Sequence, residues 1–187
     1  MNTPDTRKAP PAKLRTGVKK PVVKKHGAVL ARAMSGGRGG LAKKAEAPSA
    51  EAMLGVTAMS HRKSLTPMEW VNVIRHGIPS AAVDSLTSCL HVSQSEFAEA
   101  VGIPERTLVR RKKEGLLNSE ESAKLVRVAR VYKRAEEVFE DPEVALDWLK
   151  SANPSFSGAA PMSLLDTEIG AQSVMDTLGR IEHGVFA

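Results

Sequence analysis

The chain has 187 residues, a single cysteine, 4% aromatics and a formal net charge of +6. That length suits one ordinary domain, or a smaller domain with a tail. One thiol excludes an intramolecular disulfide framework, no apolar run approaches the ~20 residues of a membrane span, and the N-terminus lacks a secretory apolar segment. A reducing, cytoplasmic setting with no membrane partner is therefore expected.

The charge is uneven. Residues 1–60 hold 12 Lys/Arg against 3 Asp/Glu, whereas residues 61–187 hold 15 against 18. Within the latter part, residues 104–134 carry 10 cations and 4 anions, and residues 135–187 carry 2 and 10. A basic tail, a basic middle and an acidic end predict two working surfaces with different partners.

Residues 1–62 read as a disordered basic extension. Pro4, Pro10, Pro11, Pro21 and Pro48, paired lysines at 19–20, 24–25 and 43–44, and SGGRGG at 35–40 leave few large apolar side chains to offset ordering entropy. Such an arm adds sequence-independent attraction to nucleic acid.

From Leu65 onward every signal is helical. Thr66-Pro67-Met68-Glu69 predicts a capped helix with Trp70, Val73 and Ile74 on one face, stopped at Gly77. Pro79-Ser80 starts the next, striped by Val83, Leu86 and Leu90, with Cys89 read as a small buried thiol. Ser93-Gln94-Ser95-Glu96 caps a short helix with Phe97, Ala98 and Val101, ending at Gly102, and Pro104 opens another that closes at Gly115. Asn118 caps a long helix running through Leu125, Val128, Tyr132 and Phe139. Asp141-Pro142 opens a helix with Trp148 and Leu149 inward. A loop of small residues follows at 153–160, then a short turn at Pro161–Leu165, and a last helix from Thr167 to Gly184. No alternating pattern persists, so the fold class is all-α.

The two short helices around Gly102 have the helix-turn-helix layout, in which the second helix enters the DNA major groove. Glu105, Arg106 and Thr107 lie in its first turn, where base edges are read, and Arg110, Arg111, Lys112 and Lys113 follow. Successive helical residues point about 100° apart, so these four cations divide between bases and phosphates. Ser93 and Gln94, at the start of the first helix, complete the expected DNA contact, and Arg127, Arg130 and Arg134 are expected to extend it to phosphates. The competing reading is a solvated helix end favoured by the dipole.

Catalytic and metal motifs are missing. The histidines at 26, 61, 76, 91 and 183 form no metal-ligand spacing, and there is no G-x-S-x-G, Walker loop or dinucleotide fingerprint. Glu136-Glu137 and Glu140-Asp141 read as solvated helix positions. No enzyme activity, cofactor or metal is expected.

The second half resembles a known family. The helix RVARVYKRAEEVF, Trp148-Leu149 with Asn153-Pro154, the pattern Pro161, Leu164-Leu165, Thr167, Gly170, and the ending Ile181-Glu182-His183-Gly184-Val185-Phe186-Ala187 resemble the Xre/MbcA/ParS family of bacterial antitoxins. The resemblance covers roughly residues 65–187. It implies a helix-turn-helix domain over 63–117, a long helix and small helical toxin-binding domain over 118–187, and a cognate RES-domain toxin that consumes NAD⁺. It further implies a homodimer or higher assembly that represses its own operator DNA. Carried onto this sequence, the toxin-binding residues are Leu164, Leu165, Thr167, Arg180, Glu182, His183, Gly184, Val185, Phe186 and Ala187. An acidic tail would suit a cationic dinucleotide pocket. Where the family carries a glycine pair before Pro161, this chain has Ser157-Gly158. The alternatives are a stand-alone helix-turn-helix regulator without a toxin, told apart by the neighbouring gene, and an architectural protein dominated by the arm.

Overall fold

The structure is a computed structural model describing residues 48–57 and 64–184. Among these residues there are eight α-helices and no strand: α1 (Ala50–Met53), α2 (Pro67–His76), α3 (Ala81–Leu90), α4 (Gln94–Ala100), α5 (Glu105–Glu114), α6 (Ser119–Phe139), α7 (Pro142–Lys150) and α8 (Glu168–Glu182). Short 3₁₀ turns at Pro154–Phe156 and Pro161–Leu164 lie between α7 and α8.

The helix starts follow the capping chemistry read from the sequence. Thr66 with Glu69, Ser93 with Glu96 and Asn118 with Glu121 each form a reciprocal capping box. Asp141 accepts from the backbone amides of Glu143 and Val144, and Thr167 Oγ1 from that of Gly170. Each cap satisfies amides that the first helical turn leaves without partners.

The 21-residue helix α6 is the organising element. It packs against α2, α7 and α8, and its buried Leu125, Val128, Ala129, Tyr132 and Ala135 form the centre of one continuous core. That core reaches from Phe97 and Leu108 in the helix-turn-helix to Leu165, Val174 and Leu178 in the C-terminal region. Around α7, the Trp148 ring lies 5.6 Å from Phe139 and 6.4 Å from Phe156.

Residues 48–57 depart from the disordered extension expected over 1–62. Ser49 caps α1, and Met53, Leu54 and Val56 are buried in the core. Glu51 lies beneath the surface and accepts the Leu65 amide at 3.2 Å, tying the segment to the start of α2. Three apolar side chains contribute roughly 1.5–3 kcal/mol each on burial, enough to order a short segment. The rest of that extension, and the closing residues 185–187, lie outside the described residues.

The loop before Pro161 explains a departure noted above. Asn153 N donates to Ala159 O at 3.0 Å, closing the loop, and both Ser157 (φ 56°) and Gly158 (φ 87°) are left-handed. Two successive positive φ values suit a glycine pair. Here Ser157 takes the first of them.

Candidate functional site

Helix α5 is held from three sides. Its N-terminal turn passes through Gly102 (φ 60°), whose carbonyl accepts Lys124 Nζ at 3.0 Å and whose Cα faces Asp166. A Cβ at this position would lie 3.3 Å from the Asp166 Cβ, so glycine suits both the left-handed turn and the close approach. The C-terminal end is pinned by Leu117 N to Ile78 O (2.9 Å) and Ser80 N to Gly115 O (3.0 Å). Between them Leu108 is fully buried.

The four consecutive cations divide as helical geometry requires. Arg111 Nε donates to Glu121 Oε2 at 2.7 Å and its guanidinium also reaches Glu114, leaving the side chain 19% exposed. Lys112 Nζ donates to Asp84 Oδ1 and to Gln94 Oε1, both at 2.6 Å. These two cations brace α5 against α6, α3 and α4. Arg110 and Lys113 are exposed, together with Glu105 and Arg106. Residues 106, 109, 110 and 113 share one face, and Val109 lies among the cations with 45% of its surface open.

At the other end, α8 docks on α6 through Ala171, Val174 and Leu178. Gly170 permits the approach, since a Cβ there would lie 2.1 Å from the Leu164 carbonyl oxygen. Two ion pairs fasten the helix ends. Arg127 Nε donates to Glu168 Oε2 at 2.9 Å, and its terminal nitrogen reaches the Leu165 and Asp166 carbonyls at 3.2 Å each. Arg134 grips Glu182 with both terminal nitrogens, and that guanidinium holds the Glu182 carboxyl below its ordinary range. Ile169, one residue into α8, is 82% exposed.

Residues 69–130 match the family described as an antitoxin Xre-like helix-turn-helix domain, and residues 134–184 match the antitoxin Xre/MbcA/ParS C-terminal toxin-binding domain. The chain is 36% identical over 119 residues to Antitoxin Xre of Yersinia enterocolitica, covering 63% of this chain and 80% of that protein. It is 32% identical over 117 residues to Antitoxin Xre of Photorhabdus laumondii, covering 62% and 79%. It is also 26% identical over 132 residues to the Prs ADP-ribosylating antitoxin of a Sphingobium species, covering 65% and 83%. The chain belongs to the Xre antitoxin family.

As a type II antitoxin of this family, the chain joins a helix-turn-helix to a toxin-binding domain, and the family is one of binding proteins rather than enzymes. The exposed face of α5 collects Glu105, Arg106, Arg110 and Lys113 from the residues expected to meet DNA. Thr107 is half-buried, and Ser93 Oγ is engaged as the α4 cap. Gln94, Arg111 and Lys112, also among the residues expected to meet DNA, bond within the protein. Arg127 and Arg134 likewise serve the docking of α8, whereas Arg130 is exposed.

Of the expected toxin contacts, Leu165 is 2% exposed and belongs to the core. Leu164 is half-buried, and Thr167 caps α8. Arg180 donates to Thr177 Oγ1 at 2.9 Å, and Glu182, His183 and Gly184 are exposed. Val185, Phe186 and Ala187 lie outside the described residues. Glu136, read from sequence as solvated, keeps only 11% of its side chain exposed and meets Lys133 at 3.3 Å. Cys89 is half-buried and burial raises its pKa, which disfavours the reactive thiolate.

Five large apolar residues are exposed among those described, Met68, Val71, Val109, Leu116 and Ile169, and the sequence reading singled out none of them as a contact. Val109 and Ile169 lie off the buried stripes of α5 and α8, and that displacement is the signal that marks them. No helix among the described residues is long and apolar enough to cross a membrane.

Proposed function

We propose that this antitoxin neutralises an NAD⁺-consuming toxin of the RES type by presenting the end of α8 and the residues after it to the toxin's active-site cleft, and that it represses its own operon as a dimer through α5. The observation that carries the first part is the form of the C-terminal end. Glu182, His183 and Gly184 are exposed at the tip of a helix that Arg127 holds through Glu168 and Arg134 holds through Glu182. A cleft that accepts a dinucleotide pyrophosphate needs positive potential, and the exposed carboxylate of Glu182 at the helix tip complements it. The name of the Sphingobium relative, Prs ADP-ribosylating antitoxin, associates an antitoxin of this kind with ADP-ribosylation. ADP-ribosyl transfer draws on NAD⁺, so that chemistry and NAD⁺ hydrolysis call for the same kind of cleft.

The second part rests on the exposed cationic face of α5. Arg106 and Arg110 can form bidentate bonds to guanine, Glu105 can accept from cytosine, and Lys113 can neutralise a phosphate. Ile169 extends the toxin-facing surface at the start of α8, because a solvent-exposed isoleucine beside a polar rim fits the apolar anchors that dominate protein interfaces.

The test is co-purification with the product of the adjacent gene, together with a mobility shift on the DNA upstream of both. A stable complex and a sequence-dependent shift are expected. A toxin partner that fails to co-purify removes the first part, and a shift equal on scrambled DNA removes the second.

A further inference from the structure

We propose that Val109 reads the 5-methyl group of a thymine in the major groove, between the guanine contacts of Arg106 and Arg110. The inference rests on the DNA-reading role given to α5 above and adds a residue and a base to it.

Val109 is 45% exposed on a helix whose buried side is occupied by Leu108. It sits one turn into α5, on the face it shares with Arg106, Arg110 and Lys113. Val109 is not part of the buried core, so packing does not account for a valine there. At an exposed helical position valine forms helix less well than alanine, lysine or glutamate, and exposure denies it the gain of burial. Its neighbours along the face are cations, which bring the surface against a polyanion and away from any apolar partner. A major groove offers one apolar feature among its donors and acceptors, the thymine methyl. A β-branched side chain is also stiff at χ1, so its methyl groups are already fixed for contact and little rotamer freedom is lost on binding.

The fastening of α5 supports the same geometry. Arg111 and Lys112 tie the inner flanks of the helix to Glu121, Asp84 and Gln94, which fixes its rotation about its own axis and keeps residue 109 outward.

The experiment uses the full chain. Sequences are selected from a random duplex pool, and each thymine of the best site is then replaced in turn by uracil, which removes only the methyl group. Loss of one buried methyl predicts a drop of about three- to fivefold in affinity at one thymine per half-site, within a base pair or two of a guanine. Val109→Ser should make binding indifferent to that replacement, and Val109→Ala should reduce the sensitivity, with circular dichroism melts showing both variants folded and Val109→Ala no less stable than the original. If the pool yields no shared sequence, the DNA-reading role itself fails and takes this inference with it. If a site emerges but no uracil replacement matters, or Val109→Ser stays as sensitive as the original, Val109 does not read thymine while sequence-specific binding stands.

Discussion

Arg111 Nε lies 2.7 Å from Glu121 Oε2, and the same carboxylate oxygen accepts the Asn118 amide at 2.9 Å. One oxygen thus caps α6 and anchors α5, joining the start of the central helix to the second helix of the helix-turn-helix. An arginine in the most basic stretch of the chain therefore stabilises the fold.

Arginines within one helix should behave differently. Arg111→Ala should lower the urea midpoint, because Glu121 is buried and loses its charged partner. Arg106→Ala and Arg110→Ala should leave that midpoint in place and weaken operator binding about tenfold or more, with relaxed preference at one base pair each. Lys113→Ala should instead weaken all sequences alike and reduce the salt slope by about one. Equilibrium unfolding and binding at several salt concentrations separate the three outcomes.

Ile169 tests the proposed toxin-facing surface. Ile169→Asp should weaken the toxin complex by about tenfold or more if the side chain is an interface anchor. The substitution should leave folding intact, since Ile169 is 82% exposed and an acid is favourable in the first turn of α8. Titration calorimetry with the purified partner, alongside a thermal melt, reads both quantities.

Two glycines of α8 should respond in opposite directions. Gly170→Ala would put a Cβ 2.1 Å from the Leu164 backbone oxygen, so the helix start must move and stability should fall by about 1–3 kcal/mol. Gly179 has nothing within 4 Å of a would-be Cβ, so Gly179→Ala should add about 0.5–1 kcal/mol through helix propensity. Denaturant unfolding of the two variants decides this.

Acid should loosen the C-terminal tip. The hydrogen bonds from Arg134 lower the Glu182 pKa from its ordinary value of 4.5, so folding favours the charged form. The resulting stabilisation is full above that value and is lost as pH falls through the lower folded one. Amide exchange at residues 178–184, compared with residues elsewhere in α8, should rise in that acid window. Glu182→Gln should show the faster exchange at neutral pH and no further change on acidification.

Much of the fold was legible because its punctuation is local. Thr66/Glu69, Ser93/Glu96 and Asn118/Glu121 mark helix starts by a spacing of three, and Gly77, Gly102 and Gly115 mark the ends. The division of labour among the cations was not legible. That Arg111 and Lys112 turn inward depends on Glu121, Asp84 and Gln94, which lie 10, 28 and 18 residues away in sequence. The packing of Met53, Leu54 and Val56 was hidden for a related reason. Four residues of helix have no periodicity to display, and the core that receives them is assembled from distant elements. Leu165 shows the converse, a residue within a family signature that is 2% exposed and belongs to the core.

The most direct measurement of the central claim is growth and cellular NAD⁺ after inducing the neighbouring gene alone, with the full chain, and with a chain lacking residues 183–187. The account predicts growth arrest and NAD⁺ loss with the neighbour alone, recovery of both with the full chain, and no recovery with the truncated chain although it still folds and binds operator DNA. A harmless neighbour, or rescue by the truncated chain as complete as by the full one, would contradict it.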